Sequence, residues 1–281
     1  MTSTELPVRD MRNDVSRSAI KKIYHELLEP SFGPNELDTL DTLLDGLAED
    51  GSYGVWGLCV LDSETPVGCV LGYPYEQSGV LLIGYLVVNS RLRSQGAGSR
   101  LIDEVRRQWF GNPEYTLVLS EVEDPRHHAA EGGSDPVRRA KLYARQGMQV
   151  VVGPYFQPKL DGEGKERVYN LFLTVVNESN NPATWQDSVP GKQIADFLIE
   201  YFQSSGEGED WPRDDDEQGK ELLAFYQTRE RIPLRPIGEW EHIEIPRPAN
   251  SPANSRSSSS ALRRSSAPAP STNFPDAPAG H

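Results

Sequence analysis

The chain has 281 residues and carries 42 acidic against 28 basic side chains, a formal net charge of −14. Such a balance repels nucleic acid and anionic membranes. No apolar run reaches the ~20 residues of a membrane helix, and the first eleven residues lack the apolar core of a signal peptide, so the expectation is a cytoplasmic protein with neither nucleic acid nor membrane as partner. Hydrophobic content of 37% is low for a chain folded along its whole length, which predicts a disordered portion.

In chain order, residues 6–11 read as a short strand. Ser16 supplies an N-cap for a helix to Leu28, with Ile20, Ile23, Tyr24, Leu27 and Leu28 on its apolar face. Pro30 and Pro34 break it, and a second helix is predicted over 35–49, ended by Gly51. Residues 53–61 and 67–73 read as antiparallel strands joined by a turn at 62–66. Cys59 and Cys69 lie symmetrically about Glu64, so a regular hairpin sets them opposite each other. Cross-strand disulfides are strained, and a reduced pair is expected.

Residues 80–88 form a continuous apolar run, suited to a strand buried on both faces. A loop with Arg91 and Arg93 comes next. Then Gly96-Ala97-Gly98 leads into a segment with Leu101, Ile102, Val105 and Trp109 at helical spacing. A strand, a glycine turn and a helix bare backbone N–H groups at a helix N-terminus, where an anion is favoured. A dinucleotide fingerprint would need a glycine where Leu101 stands, and a P-loop would need a lysine where Ser99-Arg100 stands. What remains is Arg-x-x-Gly-x-Gly, Arg93 to Gly98, after Leu86-Val87-Val88. The alternative is a turn that binds nothing.

Residues 115–122 read as a further strand and 121–134 as a polar loop. Asp135 is an N-cap and Pro136 a first helical position; the helix runs to about Gln146 and Gly147 stops it. A last strand pair is predicted over 148–157 and 167–176. Beyond it come an amphipathic helix over 192–202, a helix over 217–228 and an extended stretch over 232–245. From residue 247 the chain is almost only Pro, Ser, Ala, Asn and Arg, a composition expected to stay disordered.

Arg93–Gly98, the strand before it, and the segment Ala140–Met148, in which Tyr143 stands four residues before Gly147, together resemble the GCN5-related N-acetyltransferase (GNAT) superfamily. The two signatures cover residues 81–148, and the strand order extends the resemblance to about Thr174. It implies an α/β fold with a central mixed sheet flanked by helices over 1–177; the helical and extended C-terminal extension over 178–246, which is outside that pattern, and the tail over 247–281 follow. The extension would pack on the core, form a homodimer face or cap the substrate. Acetyl-CoA is the implied co-substrate, with no metal. The implied reaction is N-acetylation of a primary amine, on a small molecule or a peptide, by direct attack. The backbone of Leu86, Val87 and Val88 would meet the pantetheine arm and acyl carbonyl. Arg93 would flank the pyrophosphate, with the turn Ser94, Gln95, Gly96, Ala97, Gly98 and Ser99 around it. Tyr143 would be the general acid at the departing sulfur; the alternative is a helix tyrosine that only packs.

An ammonium acceptor also needs a base. Glu121 and Glu123 are one strand period apart and can share a face, where two carboxylates would raise each other's pKa and draw in a cation. The alternative is a solvated loop edge. His127 and His128 are other candidate bases, or an ordinary surface pair. No His/Cys/Asp group has metal-ligand spacing, and Ser120 and Ser134 lack a nucleophile elbow. The acidic balance favours a cationic amine. The second class of function is a non-catalytic acyl-CoA-binding or regulatory module of the same fold.

Overall fold

A computed structural model of the chain describes residues 6–48, 54–89, 96–128, 135–176 and 187–246. Arg93, Ser94, Gln95, Ser134 and the tail from 247 lie outside the described residues. The strands are β1 (Val8–Asp10), β2 (Trp56–Asp62), β3 (Thr65–Tyr75), β4 (Val80–Val88), β5 (Leu117–Glu123), β6 (Gln149–Val151), β7 (Leu171–Val175), β8 (Ser188–Pro190) and β9 (Arg231–Pro236). The α-helices are α1 (Arg17–Ile23), α2 (Leu40–Gly46), α3 (Ala97–Trp109), α4 (Pro136–Arg145), α5 (Gly191–Gln203) and α6 (Glu217–Gln227). The strands form one mixed sheet in the order β1-β2-β3-β4-β5-β7-β6-β9-β8. Only β4 and β5 pair in parallel among the described strands.

Helices cover both faces. Leu101, Ile102, Val105 and Trp109 of α3 are at most 5% exposed and pack with Leu81, Ile83 and Val118 of the sheet, each burial contributing about 1.5–3 kcal/mol. On the other face α1 and α2 cover Leu71, Tyr85 and Val87. Beside them Ile194, Phe197, Leu198, Tyr201 and Phe202 of α5 bury against Val80, Leu82, Leu119 and Val175. The C-terminal extension thus supplies strands as well as helices: β9 pairs with β6, Val151 opposite Leu234, and β8 with β9, Val189 opposite Ile232.

The central strand β4 is bulged. The β3–β4 register runs Leu71↔Tyr85, then Gly72↔Ile83, so Gly84 is the extra residue. A bulge shifts the two-residue alternation by one. Val80 and Leu82 before it therefore share a face with Tyr85 and Val87 after it. A Cβ on Gly84 would lie 2.8 Å from Tyr73 Cε2, so glycine is what allows that ring to lie across the strand.

Several expected boundaries are corrected. The helix expected over 35–49 begins at Leu40, because the Thr39 side chain takes the cap position and accepts from Thr42 N at 3.1 Å. The helix from Ser16 widens into a π-turn over Tyr24–Leu28, closed by Glu29 N to Tyr24 O at 2.9 Å. The strand expected over 148–157 is three residues long, because Pro154 lacks an N–H and Gly153 passes under α6, where a Cβ would meet Tyr226 Oη at 2.5 Å. Cys59 and Cys69 are directly paired in register, free and buried, and burial pushes the Cys59 thiol up to about 12. Among the described residues no helix is long and apolar enough to cross a membrane.

Candidate active site

Parallel pairing between β4 and β5 ends at Ile83↔Ser120. Past that point β4 continues to Val88 along β3, and β5 to Glu123 along β7. The strands separate where the Gly84 bulge adds twist. The separation opens a cavity of about 720 Å³. Leu86, Tyr143 and Arg139 line it from the α3–α4 face, and Tyr75, Tyr85 and Tyr201 from the opposite face. The opening therefore passes through the sheet.

Glu121 stands in this opening. Its carboxylate accepts from the Tyr155 hydroxyl, and from Tyr201 Oη at 3.5 Å. Burial pushes the carboxyl from 4.5 up to about 7; the two tyrosine hydrogen bonds oppose this, and the negative charges of Glu36 and Asp38 add to it. Among the described residues no Lys, Arg or His pairs with it within salt-bridge distance.

Glu123 lines the same cavity but is differently engaged. Arg139 bonds its carboxylate, and His128 Nδ1 lies 3.9 Å away. The structure therefore brings Glu121, Glu123 and Tyr143 together, with Glu123's charge matched by a guanidinium. The histidines are also committed locally: His128 Nε2 lies 3.1 Å from Asn170 O, and His127 Nε2 3.9 Å from Asp124. Tyr143 is 9% exposed, and its hydroxyl makes no hydrogen bond among the described residues. Burial raises its phenol, against a smaller opposing effect of Arg139.

On the α3–α4 side three elements converge. Gly96 caps α3 with φ +81°, and a Cβ there would meet nothing within 4 Å. A Cβ on Gly98 would lie 3.6 Å from both Leu142 Cδ2 and Val88 Cγ2. The first turn of α3, which includes Ala97 and Ser99, thus sits beside the end of β4 and the helix that carries Tyr143. Leu86 and Val88 pack toward this face, and Val87 toward α1 and α2. Open space around a left-handed glycine, next to unpaired helix N–H groups, suits close approach of a phosphate.

The opposite side holds residues that sequence reading did not single out. Asp38, expected inside a helix, lies just before the Thr39 cap. Its carboxylate accepts from Tyr73 Oη at 2.8 Å and Tyr85 Oη at 3.2 Å, and its N–H donates to Tyr85 Oη at 3.0 Å. Tyr24 Oη in turn donates to Asp38 O at 2.8 Å. Burial raises the Asp38 carboxyl, opposed by the two phenols. The available signal was Thr39-Leu40-Asp41-Thr42, a cap followed by a first turn, which leaves Asp38 outside the helix. Tyr155 and Tyr201 carried no signal beyond that of strand and helix packing.

Residues 20–148 match the family model described as "Acetyltransferase (GNAT) family". No curated protein sequence matches the chain. Among solved structures, a Bacteroides thetaiotaomicron protein described as a GNAT-family acetyltransferase is 22% identical; the match covers 69% of this chain and 98% of that one, with a TM-score of 0.48. Arabidopsis thaliana NAA60, in complex with a bisubstrate analogue, is 18% identical over 62% of this chain and 100% of that one, with a TM-score of 0.43. Ard1 from Thermoplasma volcanium is 19% identical over 61% and 97%, with a TM-score of 0.39.

Proposed function

We propose that this chain, whose residues 20–148 match a GNAT-family acetyltransferase model, is an N-acetyltransferase that moves an acetyl group from acetyl-CoA to a primary amine by direct attack. The observation that carries this reading is the opening between β4 and β5, reached from both faces of the sheet and holding a carboxyl whose pKa is near 7. A donor and an acceptor can enter from opposite sides and meet at one carbon.

Acetyl-CoA, when bound, supplies an acetyl group activated as a thioester. The residues Arg93, Ser94, Gln95, Gly96, Ala97, Gly98 and Ser99 would hold its phosphates, and the backbone of Leu86, Val87 and Val88 would orient its pantetheine arm. Glu121 takes a proton from the acceptor ammonium. A group with a pKa near the working pH is well matched to that exchange. The freed nitrogen forms its bond to the carbonyl carbon as the carbon–sulfur bond breaks, and the N-protonated amide so formed releases its second proton to solvent. Tyr143, kept protonated by burial, gives its proton to the departing thiolate. Exchange with solvent then moves a proton from Glu121 back to Tyr143. Glu123, held by Arg139, shapes the wall of the site.

Incubation with acetyl-CoA and a panel of amines, following thiol release, tests the reading. Tyr143→Phe should slow turnover by about a hundredfold or more and spare CoA affinity; unchanged turnover removes Tyr143 as the acid. Tight CoA binding with no turnover on any amine sinks the enzyme and leaves a binding module.

A further inference from the structure

Two carboxylates in this cavity are held by pairs of tyrosine hydroxyls and have no cationic partner. Glu121 is held by Tyr155 and Tyr201, and Asp38 by Tyr73 and Tyr85. Neither forms an ion pair among the described residues. The cation near Asp38, Lys165, donates to the carbonyls of Pro34 and Leu37 (2.7 Å for the second). The lining as a whole repeats the imbalance: eight carboxylates, these two included, against two guanidinium groups, one of which, Arg139, is bonded to Glu123. Buried charges are ordinarily paired, because an unpaired one keeps its desolvation cost. Two such groups in one cavity are matched by a ligand that carries two positive charges.

The surroundings of Asp38 also suit a cation. Phe32, Tyr73 and Tyr85 line the cavity around it, with Phe32 and Tyr85 edge to face at 5.0 Å and Tyr73 and Tyr85 at 6.0 Å. Aromatic faces attract ammonium groups, and more strongly once water is excluded. The two phenols already donate to Asp38, so the remaining acceptor capacity of the carboxylate is left for a further donor. A volume of about 720 Å³ falls in the small-molecule range.

We infer that the acceptor is a small diamine or polyamine: its reacting nitrogen lies at Glu121, and a second ammonium lies against Asp38 within the rings of Phe32, Tyr73 and Tyr85. Asp38 is then a specificity-determining residue. The inference rests on the acetyl-transfer reading of the same cavity, and binding separates the two.

Isothermal titration of the full chain, saturated with CoA, would compare α,ω-diamines from 1,3-diaminopropane to 1,6-diaminohexane with monoamines of equal length. The best diamine should bind at least about tenfold more tightly, as expected for a charge-assisted contact. Asp38→Asn should bring that preference within about twofold. Phe32→Leu, which leaves every charge in place, should reduce it about threefold and serves if the first variant fails to fold. Equal affinities in the wild type, a preference that survives Asp38→Asn, or tighter binding of a peptide N-terminus would each overturn the proposal. Asp38-dependent diamine binding without thiol release from acetyl-CoA would uphold the subsite and refute the acetyltransferase. Monoamines acetylated as efficiently as diamines would do the reverse.

Discussion

Replacing Glu121 by glutamine should make this protein more stable and less active, and the size of the gain is set by pH. Burial moves the Glu121 carboxyl from 4.5 to about 7 in the folded protein. Between those values the folded state holds more protons than the unfolded one. Stability contributed at this position therefore falls as pH rises from 4.5, and the full penalty is present above about 7. At about 1.4 kcal/mol per pH unit, the interval corresponds to about 3 kcal/mol. Glutamine keeps an oxygen to accept from Tyr155 and cannot ionise. Urea unfolding should find Glu121→Gln more stable than wild type by up to about 3 kcal/mol at pH 8, and nearly equal to it at pH 4.5. In parallel, kcat/KM should lose its ascending limb near pH 7, and kcat should fall by about a hundredfold or more. A variant no more stable at pH 8, or one whose advantage is the same at both pH values, refutes the reasoning that burial holds this carboxyl up. A retained ascending limb removes it as the base.

Gly96→Glu should fold, since a Cβ there meets open space. Its left-handed φ of +81° costs a non-glycine residue about 1–2 kcal/mol, and the added charge repels phosphate, so CoA affinity measured by titration should fall more than about tenfold; retained affinity would put the phosphate elsewhere. Arg167 joins Glu207 (Nε to Oε1, 2.7 Å) to Asp216 (Nη1 to Oδ1, 2.9 Å), all three side chains at most 16% exposed. Arg167→Ala leaves two largely buried carboxylates unmatched and should destabilise the fold by about 3–5 kcal/mol in chemical denaturation at pH 7. Burial pushes these carboxyls up, but the bonds from Arg167 prevail and hold both below their ordinary values. The stabilisation is therefore present above the ordinary carboxyl range and is lost as pH falls through the depressed values. A cost of under about 1 kcal/mol at pH 7, or one that grows toward low pH, would show that the network is not what holds the segment before β7 to the α5–α6 loop.

The strand, the glycines and the helix over 80–109 were legible because they are local. A buried strand, a glycine turn and a helix are consecutive in the chain, and each has its own signal: the apolar run over 80–88, the missing third glycine and lysine, and the helical spacing of Leu101, Val105 and Trp109. The Asp135 cap and Pro136 marked α4, which carries Tyr143. The paired cysteines emerged from counting about Glu64. Where boundaries failed, distant contacts had intervened: the Tyr85 hydroxyl holds Asp38 outside α2, and α6 passes over Gly153.

The sequence by itself determined the element order apart from β8, the glycines that open α3, and the pair of glutamates at the end of β5. Only the tertiary structure decided that the two glutamates differ, Glu123 bound by Arg139 and Glu121 buried without a cation. It also decided that Asp38, Tyr85, Glu121 and Tyr201 share one cavity. These residues come from four separate segments. They meet because a single bulge at Gly84 shifts the alternation of β4 and because β4 and β5 stop pairing at Ile83 and Ser120. Spacing along the chain reports contacts only within one strand or one helix turn; a site assembled across a sheet opening exists only once the sheet has closed around it.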